Sequence, residues 1–162
     1  MPSTTTIETP VGPITLLSEE GAISGLYMRD QRYAPEQDET WTSDRAVFGQ
    51  VIEELEAYFD RELTTFTVPL RPKGTPFQQE VWRQLRKIPY GETISYGELA
   101  NRVARPGAAR AVGSANGHNP IGIIVPCHRV IGANGSMTGY AGGLDRKTWL
   151  LRHESNNLFP EA

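Results

Sequence analysis

The sequence contains one cysteine, Cys127, in the segment Pro126-Cys127-His128-Arg129. A free cysteine is most often a small buried hydrophobic residue, but three features here favour a reactive thiol. Pro126 fixes the backbone just before the thiol. His128 and Arg129 make the neighbourhood electropositive when charged, which favours the thiolate. The segment also follows a candidate recognition helix, described below. We therefore interpret Cys127 as a nucleophile.

A cysteine nucleophile needs a base, because a thiol with a pKa near ~8.5 is only slightly ionised at neutral pH. The usual solution is a neighbouring histidine oriented by a carboxylate. His128 is the candidate base, acting through a bridging water because neighbouring side chains on a strand point in opposite directions. The candidate carboxylate is Glu154, which ends the apolar run of Leu144, Trp149, Leu150 and Leu151. By itself Glu154 is much more typical of an exposed acid at a helix end.

The elements predicted before residue 71 are short strands and one helix. Alternating apolar residues and turn signals predict strands over 4–9, 14–18 and 22–29 and a further strand over 65–70, with a polar loop over 30–44. Apolar residues at helical spacing predict an amphipathic helix over about 45–61. Nothing in this part of the sequence suggests chemistry.

Helices dominate the predicted second part. Residues 71–75 are the predicted linker, and Thr75 and Ser95 each begin a capping box, opening helices over 76–88 and 96–104. A Pro-Gly turn at 106–107 leads into a third helix over 108–117. Two short helices joined by a tight turn are typical of a helix-turn-helix, although many such pairs never touch DNA. The apolar segment 121–125 predicts a buried strand before Cys127.

The charge distribution supports a polyanionic partner for the second part. Residues 1–75 carry six basic and 13 acidic residues, whereas residues 76–154 carry ten basic and five acidic ones. An acidic and a basic half suggest that only the basic half meets a polyanion. Uneven solvated charge is the simpler alternative. A single cysteine excludes an internal disulfide and multi-thiolate zinc sites, and the composition predicts a cytoplasmic protein without a membrane span.

The third predicted helix has an unusual surface for DNA recognition. Its side chains are small apart from Arg110: Ala108, Ala109, Ala111, Gly113 and Ser114. Major-groove readers usually carry several long polar side chains. This surface instead suits a narrow groove or a close backbone approach, with one long residue inserted.

The segment 124–130, Ile-Val-Pro-Cys-His-Arg-Val, resembles the active-site signature of the O6-alkylguanine-DNA alkyltransferases, also called methylated-DNA–protein-cysteine methyltransferases. The resemblance continues in order and spacing through Pro89-Tyr90-Gly91-Glu92-Thr93, Ser95-Tyr96-Gly97, 108–113, Asn119-Pro120, 140–144 and the Leu150-Leu151 to Glu154 ending. It covers about residues 75–154. The first part of the chain resembles the family only in size, pattern and position.

The resemblance implies a role for each matching residue. Cys127 is the alkyl acceptor, and His128 with Glu154 deprotonates it through water. Asn119 orders the turn before the active-site segment, and Tyr96 crowds the target phosphate and helps to protonate the departing guanine. Arg110 replaces the flipped nucleotide. The remaining matches are DNA-facing positions (Gly97, Ala108, Ala109, Ala111, Gly113 and Ser114) and a base pocket (Val125, Pro126, Tyr140, Ala141 and the variable Thr138).

The implied reaction is the single-turnover transfer of an alkyl group from O6-alkylguanine, and from O4-alkylthymine, to Cys127. It needs no cofactor or metal. The partner is double-stranded DNA, contacted in the minor groove by a protein that is monomeric off DNA and can assemble cooperatively on it. The implied fold is a small ribonuclease H-like α/β domain over 1–70, with antiparallel strands and one long helix. A mostly helical, winged helix-turn-helix-like domain follows over 76–162.

Three alternatives stay open. A non-catalytic lesion-binding relative would lack the acceptor cysteine that is present here. A cysteine hydrolase with a Cys-His-Glu triad would need no basic helix-turn-helix. A transcription regulator fused to repair would need a second DNA-binding segment.

Overall fold

The computed structural model describes residues 2–135 and 139–155, so Thr138 and the end of the predicted second domain lie outside the described residues. Below, the N-terminal half means residues 2–75 and the C-terminal half residues 76–155. The combination of a small sheet with a helix and a mostly helical second half confirms the predicted fold class. No helix in the described part of the chain is long and apolar enough to cross a membrane.

The N-terminal half is a four-stranded sheet with one helix. The sheet has the order β3-β2-β1-β4, with β1 antiparallel to β2, β2 antiparallel to β3, and β4 parallel to β1. The elements are β1 Ser3–Thr9, β2 Gly12–Glu19, β3 Ala22–Met28, β4 Thr42–Ser43 and helix α1 Gly49–Phe59, which a 3-10 turn over Arg45–Phe48 precedes.

The hydrophobic core of this half follows from the period of two in the strands and the helical period in α1. Ile14, Leu16 and Leu26 on the sheet and Leu55 on α1 are fully buried. Gly12 has a positive φ of 94° in the hairpin turn between β1 and β2, a backbone conformation that glycine adopts without strain.

The described residues of the C-terminal half form four helices, a second 3-10 turn and two very short parallel strands. These are α2 Pro76–Leu85, β5 Ile94–Ser95, α3 Tyr96–Arg102, α4 Ala109–Gly117, a 3-10 turn over Cys127–Arg129, β6 Val130–Ile131 and α5 Leu144–Glu154.

Side-chain caps start two of these helices. Thr75 and Gln78 form the complete capping box expected at α2. Ser95 caps α3 by accepting from the backbone N–H of Glu98, but the Glu98 carboxylate pairs with Arg102 one turn later. Only half of the second predicted capping box therefore forms.

Two predicted strands are wrong. Residues 65–70 and 121–125 are irregular or turn structure, and each makes only an isolated bridge to β3, through Ile23 with Leu70 and Leu26 with Ile121. The apolar character of both segments reflects burial against the sheet edge. The bridge at Ile121 joins the N-terminal sheet to the loop that leads into Cys127.

Candidate active site

Cys127 begins the 3-10 turn Cys127–Arg129, which we call the active-site turn. All three of its residues are buried. The prediction that Cys127 and His128 follow one another on a strand is therefore wrong. Their side chains need not point in opposite directions. In a tight turn, successive side chains are not restricted to opposite faces of a sheet.

Glu154, the last residue of α5, lies directly against this turn and is 1% exposed. Arg129 donates to both carboxylate oxygens, from Nε to Oε1 at 2.7 Å and from a terminal nitrogen to Oε2 at 2.9 Å. His128 Nε2 lies 2.7 Å from Oε2, and the Tyr58 hydroxyl donates to the same oxygen at 2.6 Å. Three of these four bonds therefore converge on Oε2, and Oε1 accepts the fourth.

The four donors keep Glu154 ionised. Burial by itself disfavours the charged form, but the charges and hydrogen bonds of His128 and Arg129 outweigh it and hold the Glu154 pKa far below its ordinary range. The exposed helix-end interpretation of this residue is therefore wrong. A carboxylate that accepts from His128 also determines which nitrogen of the ring carries hydrogen.

His128 is set up as a neutral base. Its Nε2–H donates to the Glu154 carboxylate, so the neutral ring has its lone pair on Nδ1. Nδ1 is buried and has no hydrogen-bond partner among the described residues. Burial lowers the His128 pKa, against the attraction of Glu154, so the ring is neutral at neutral pH and can accept a proton.

The Cys127 thiol contradicts one expectation from the sequence. Arg129 was expected to favour the thiolate, but its guanidinium is bound to Glu154 and to the carbonyl of Ile88. Burial raises the Cys127 pKa, although hydrogen bonds from Asn119 and Tyr140 and the charge of Lys147 act in the opposite direction. The resting thiol is protonated, which makes a base necessary.

Two asparagines hold the loop that leads into the active-site turn. Asn119 donates to the carbonyl of Val125 at 2.8 Å and accepts from the N–H of Ile121 at 3.0 Å, spanning the turn as the sequence predicted. Asn116 on α4 donates to the carbonyl of Cys127 at 3.3 Å. Ile123 inside this loop has a φ of 69°, a strained conformation for a β-branched residue.

The expected pocket residues lie on both sides of the thiol. Val125 and Pro126 are buried immediately before it, and Tyr140 is hydrogen-bonded to it from the segment before α5. Burial raises the Tyr140 pKa well above its ordinary value, so its hydroxyl is protonated and donates. The Ala141 carbonyl accepts from the N–H of Arg32, which ties this segment to the N-terminal half.

The expected DNA-facing residues lie on α3 and α4. Arg110, Ala111, Ser114 and Gly97 are exposed, whereas Ala108, Ala109 and Gly113 are partly buried. A methyl group at Gly113 would lie 3.7 Å from the ring of Tyr96, which is an ordinary van der Waals distance. The Tyr96 hydroxyl donates to the carbonyl of Gly139 at 3.3 Å.

Asn116, described above, and two further residues of the site were missed from the sequence. Lys147 on α5 is buried, its ammonium donates to the carbonyl of Val130 at 2.6 Å, and burial lowers its pKa to about 8 although Cys127 opposes this. Helical spacing places Lys147 and Glu154 on the same helix face as the apolar Leu150, and this position is the signal that could have identified Lys147. Tyr58 shares its helix face with Val51, Ile52 and Leu55, and nothing in the sequence separates it from ordinary core residues.

Comparison with known proteins identifies relatives of both halves. The sequence model of the 6-O-methylguanine DNA methyltransferase DNA-binding domain matches residues 76–156, and that of the ribonuclease-like domain of the same proteins matches residues 3–72. The methylated-DNA–protein-cysteine methyltransferase of Mycobacterium bovis is 54% identical over 151 residues, which cover 93% of this chain and 91% of the relative.

Solved structures agree with these matches. The Mycobacterium tuberculosis O6-methylguanine methyltransferase superposes with a TM-score of 0.90 at 52% identity, covering 99% of this chain and 97% of the other. The crystal structure of Mycobacterium tuberculosis OGT in complex with DNA gives a TM-score of 0.86 at 54% identity, covering 92% of this chain and 90% of the other.

Proposed function

Because this chain belongs to the 6-O-methylguanine DNA methyltransferase family, we propose that it repairs O6-alkylguanine in DNA by transferring the alkyl group to Cys127. One observation carries this proposal: His128, the residue after the single cysteine, is buried and hydrogen-bonded to Glu154. This bond leaves the histidine lone pair on Nδ1. We call Cys127, His128 and Glu154 the relay.

The first step is recognition of DNA by the C-terminal half. Its net positive charge and the exposed surface of α4 support contact with the phosphate backbone. The small side chains around Arg110 fit a narrow groove, and we assign α4 to the minor groove. The O6 atom of a stacked base cannot be approached in line by a protein sulfur, so the nucleotide must leave the helix. Arg110 is long enough to occupy the space it leaves.

The second step is displacement at the alkyl carbon. The Cys127 proton passes through water to Nδ1 of His128, and the imidazolium that forms is stabilised by the Glu154 carboxylate. The sulfur then forms a bond to the alkyl carbon while the bond from that carbon to O6 breaks with its electron pair. The departing guanine takes a proton from the Tyr96 hydroxyl, the assigned donor. The resulting phenolate regains a proton from the His128 imidazolium through solvent, which returns both groups to their neutral forms. S-alkylcysteine and unmodified guanine are the products.

This chemistry explains several features of the site together. A thiol kept protonated by burial is protected until the base removes its proton. The product thioether has no route back to a thiol, so each molecule acts once. The reaction also needs a free thiol, which fits action in the reducing cytoplasm. O4-alkylthymine presents the same alkyl–oxygen bond and is our proposed second substrate.

The family matches over 3–72 and 76–156 support a two-domain division. We keep residues 71–75 as the proposed linker. We assign recognition and chemistry to the second domain. The cooperative assembly on DNA implied by the resemblance is a separate proposal. Binding isotherms on duplexes of increasing length test it, since cooperative binding steepens with length and independent binding does not.

Intact-protein mass spectrometry tests the function. One equivalent of a duplex with a single O6-methylguanine should add one methyl group, and peptide mapping should place it on Cys127. The control is the undamaged duplex, which should add nothing. Cys127→Ser should bind the duplex with nearly wild-type affinity and gain no methyl group.

The alternatives give different results in this experiment. A lesion-binding protein without chemistry would bind the duplex and keep its mass. A cysteine hydrolase would turn over a thioester substrate many times and leave the DNA unchanged. Methylation at another residue, or more than one product molecule per protein, would contradict the proposed reaction.

A further inference from the structure

We propose that Tyr58, on helix α1 of the N-terminal half, is a positioning residue of the relay, whose hydroxyl fixes the Glu154 carboxylate for His128. This inference rests on the proposed function and adds a residue outside the half that carries the recognition helix and the thiol. It also gives the N-terminal half a direct connection to the proton-transfer step.

The hydrogen bond between Tyr58 and Glu154 is short and buried. The Tyr58 hydroxyl donates to Oε2 of Glu154 at 2.6 Å across 96 positions of sequence, and the same oxygen lies 2.7 Å from Nε2 of His128. Tyr58 is fully buried, so bulk water does not compete for the bond. A hydrogen bond to a charged acceptor in such surroundings is stronger than one in water.

Tyr58 differs from the other hydrogen-bond donors to Glu154 in the part of the chain from which it comes. His128 and Arg129 both belong to the active-site turn, so their bonds fix Glu154 only relative to that turn. Among the hydrogen bonds that the described residues make to this carboxylate, the one from Tyr58 comes from the N-terminal half. It anchors the end of α5 to helix α1.

A second bond reinforces the anchor. His153, the residue before Glu154, has its Nε2 2.8 Å from the backbone carbonyl of Tyr58, and a carbonyl can only accept. The ring of His153 stacks on Trp149 at 4.8 Å, and Phe59 packs against both. Helix ends fray unless they are held. Here the last turn of α5 is fastened to the last turn of α1.

The hydroxyl acts as a donor and not as a proton carrier. Burial and the adjacent negative charge of Glu154 raise the Tyr58 pKa well above 10.0, while Arg129 opposes this rise. The other polar rings around it are Tyr90 and His153. Tyr58 therefore stays protonated over the whole range in which the relay works, and its contribution is orientation.

Tyr58→Phe tests the inference, because it removes the hydroxyl and keeps the ring packing. Methyl transfer from an O6-methylguanine duplex should slow about tenfold at neutral pH, the lower end of what one lost hydrogen bond to a charged group costs. The loss should narrow towards about pH 9, where more thiol ionises without the base. Iodoacetamide labelling of the single cysteine should show a matching fall in thiolate at neutral pH.

Tyr90→Phe is the matched control. Its ring lies 6.2 Å from that of Tyr58, and its hydroxyl is directed to the carbonyl of His153 at 3.5 Å. Removing this hydroxyl should leave both the transfer rate and the labelling profile unchanged. Unfolding curves for both variants establish the folded fraction under assay conditions.

A double-mutant cycle separates positioning from general support of the fold. In a Glu154→Gln background, Tyr58→Phe should cause little further loss, because its effect passes through the carboxylate. Additive losses, a uniform loss at every pH, or a wild-type profile for Tyr58→Phe would each overturn the inference. A faster reaction would do so too, since it would mean that the hydroxyl competes with His128. Wild-type protein that fails to methylate Cys127 would instead refute the proposed function.

Discussion

Replacing Glu154 by glutamine is the most direct test of the relay, because it removes the charge and keeps the side-chain volume. The neutral amide can neither hold Nε2–H of His128 as firmly nor stabilise the imidazolium. We expect methyl transfer at neutral pH to slow by a factor of about 10 or more, the lower edge of what a positioned base contributes. Raising the pH should recover much of this loss, since hydroxide then supplies the thiolate.

The same substitution destabilises the protein. Glu154 is 1% and Arg129 6% exposed, and they form a two-point ion pair. Removing one partner of a buried pair typically costs about 3–5 kcal/mol. Arg129 keeps its bond to the Ile88 carbonyl, and the amide oxygen can still accept. We therefore expect the free energy of unfolding to fall by about 3 kcal/mol, the lower end of that range.

This stability difference should depend on pH. Because the Glu154 pKa is lowered in the folded protein, the stabilisation is complete above the ordinary carboxyl pKa of 4.5 and is lost as the pH falls below it. Wild type and Glu154→Gln should thus converge in stability in acid. Urea unfolding, followed by tryptophan fluorescence at a series of pH values, measures this convergence.

The kinetic assay must be run where both proteins are folded. Single-turnover transfer is measured with excess O6-methylguanine duplex between about pH 6 and 9. The rate constant of each trace reports the transfer step, and its amplitude reports the folded fraction of the protein. Glu20→Gln is the control for charge removal, since Glu20 pairs with Arg71 on the surface of the N-terminal half. Wild-type rates for Glu154→Gln across this range would remove Glu154 from the mechanism. Equal slowing at every pH would assign it a structural role only.

Three further predictions concern DNA and the site lysine. Arg110→Ala should slow transfer from the duplex about tenfold but leave the reaction with free O6-benzylguanine nearly unchanged, because flipping costs energy only in duplex DNA. Equal losses on both substrates would contradict this role, and Arg86→Ala is the control. Undamaged-duplex affinity should fall about 40-fold between about 50 and 200 mM salt if about three phosphates are contacted, and a salt-independent affinity would refute phosphate-dominated binding. Because the Lys147 pKa is lowered on folding, the unfolded chain binds more protons than the folded protein between about pH 8 and 10.5. The free energy of unfolding of the wild type should therefore rise relative to that of Lys147→Met over this interval. Denaturant curves of the two proteins that change in the same way with pH would argue against this.

Local interactions are the part of this structure that the sequence predicts well. The start of α2 follows from the capping box of Thr75 and Gln78, whose partners are three residues apart. The hairpins of the N-terminal sheet follow from alternating apolar residues and turn signals. Asn119 could be assigned to a backbone-binding role because its partners lie within six residues of it.

The two wrongly predicted strands show where local sequence patterns do not determine the structure. Apolar runs at 65–70 and 121–125 report burial, and burial is compatible with either a strand or an irregular segment. Which one forms depends on whether a neighbouring strand offers a full row of backbone partners. Here β3 offers a single bridge to each segment. The N–H groups of Thr67 and Val68 donate instead to the Glu54 carboxylate, and those of residues 124 and 125 bond within turns.

The sequence by itself identified the family, the candidate nucleophile and its histidine neighbour, because these depend on residue types at fixed spacing along the chain. Tertiary structure alone decided the electrostatics of the site. Arg129, expected beside the thiol, is bound to Glu154, and the uncharged thiol is kept by burial. Tyr58 reaches the same carboxylate from 96 positions away. Charges and hydrogen bonds act through distance in space, and no pattern along a single chain specifies which distant groups the fold brings together.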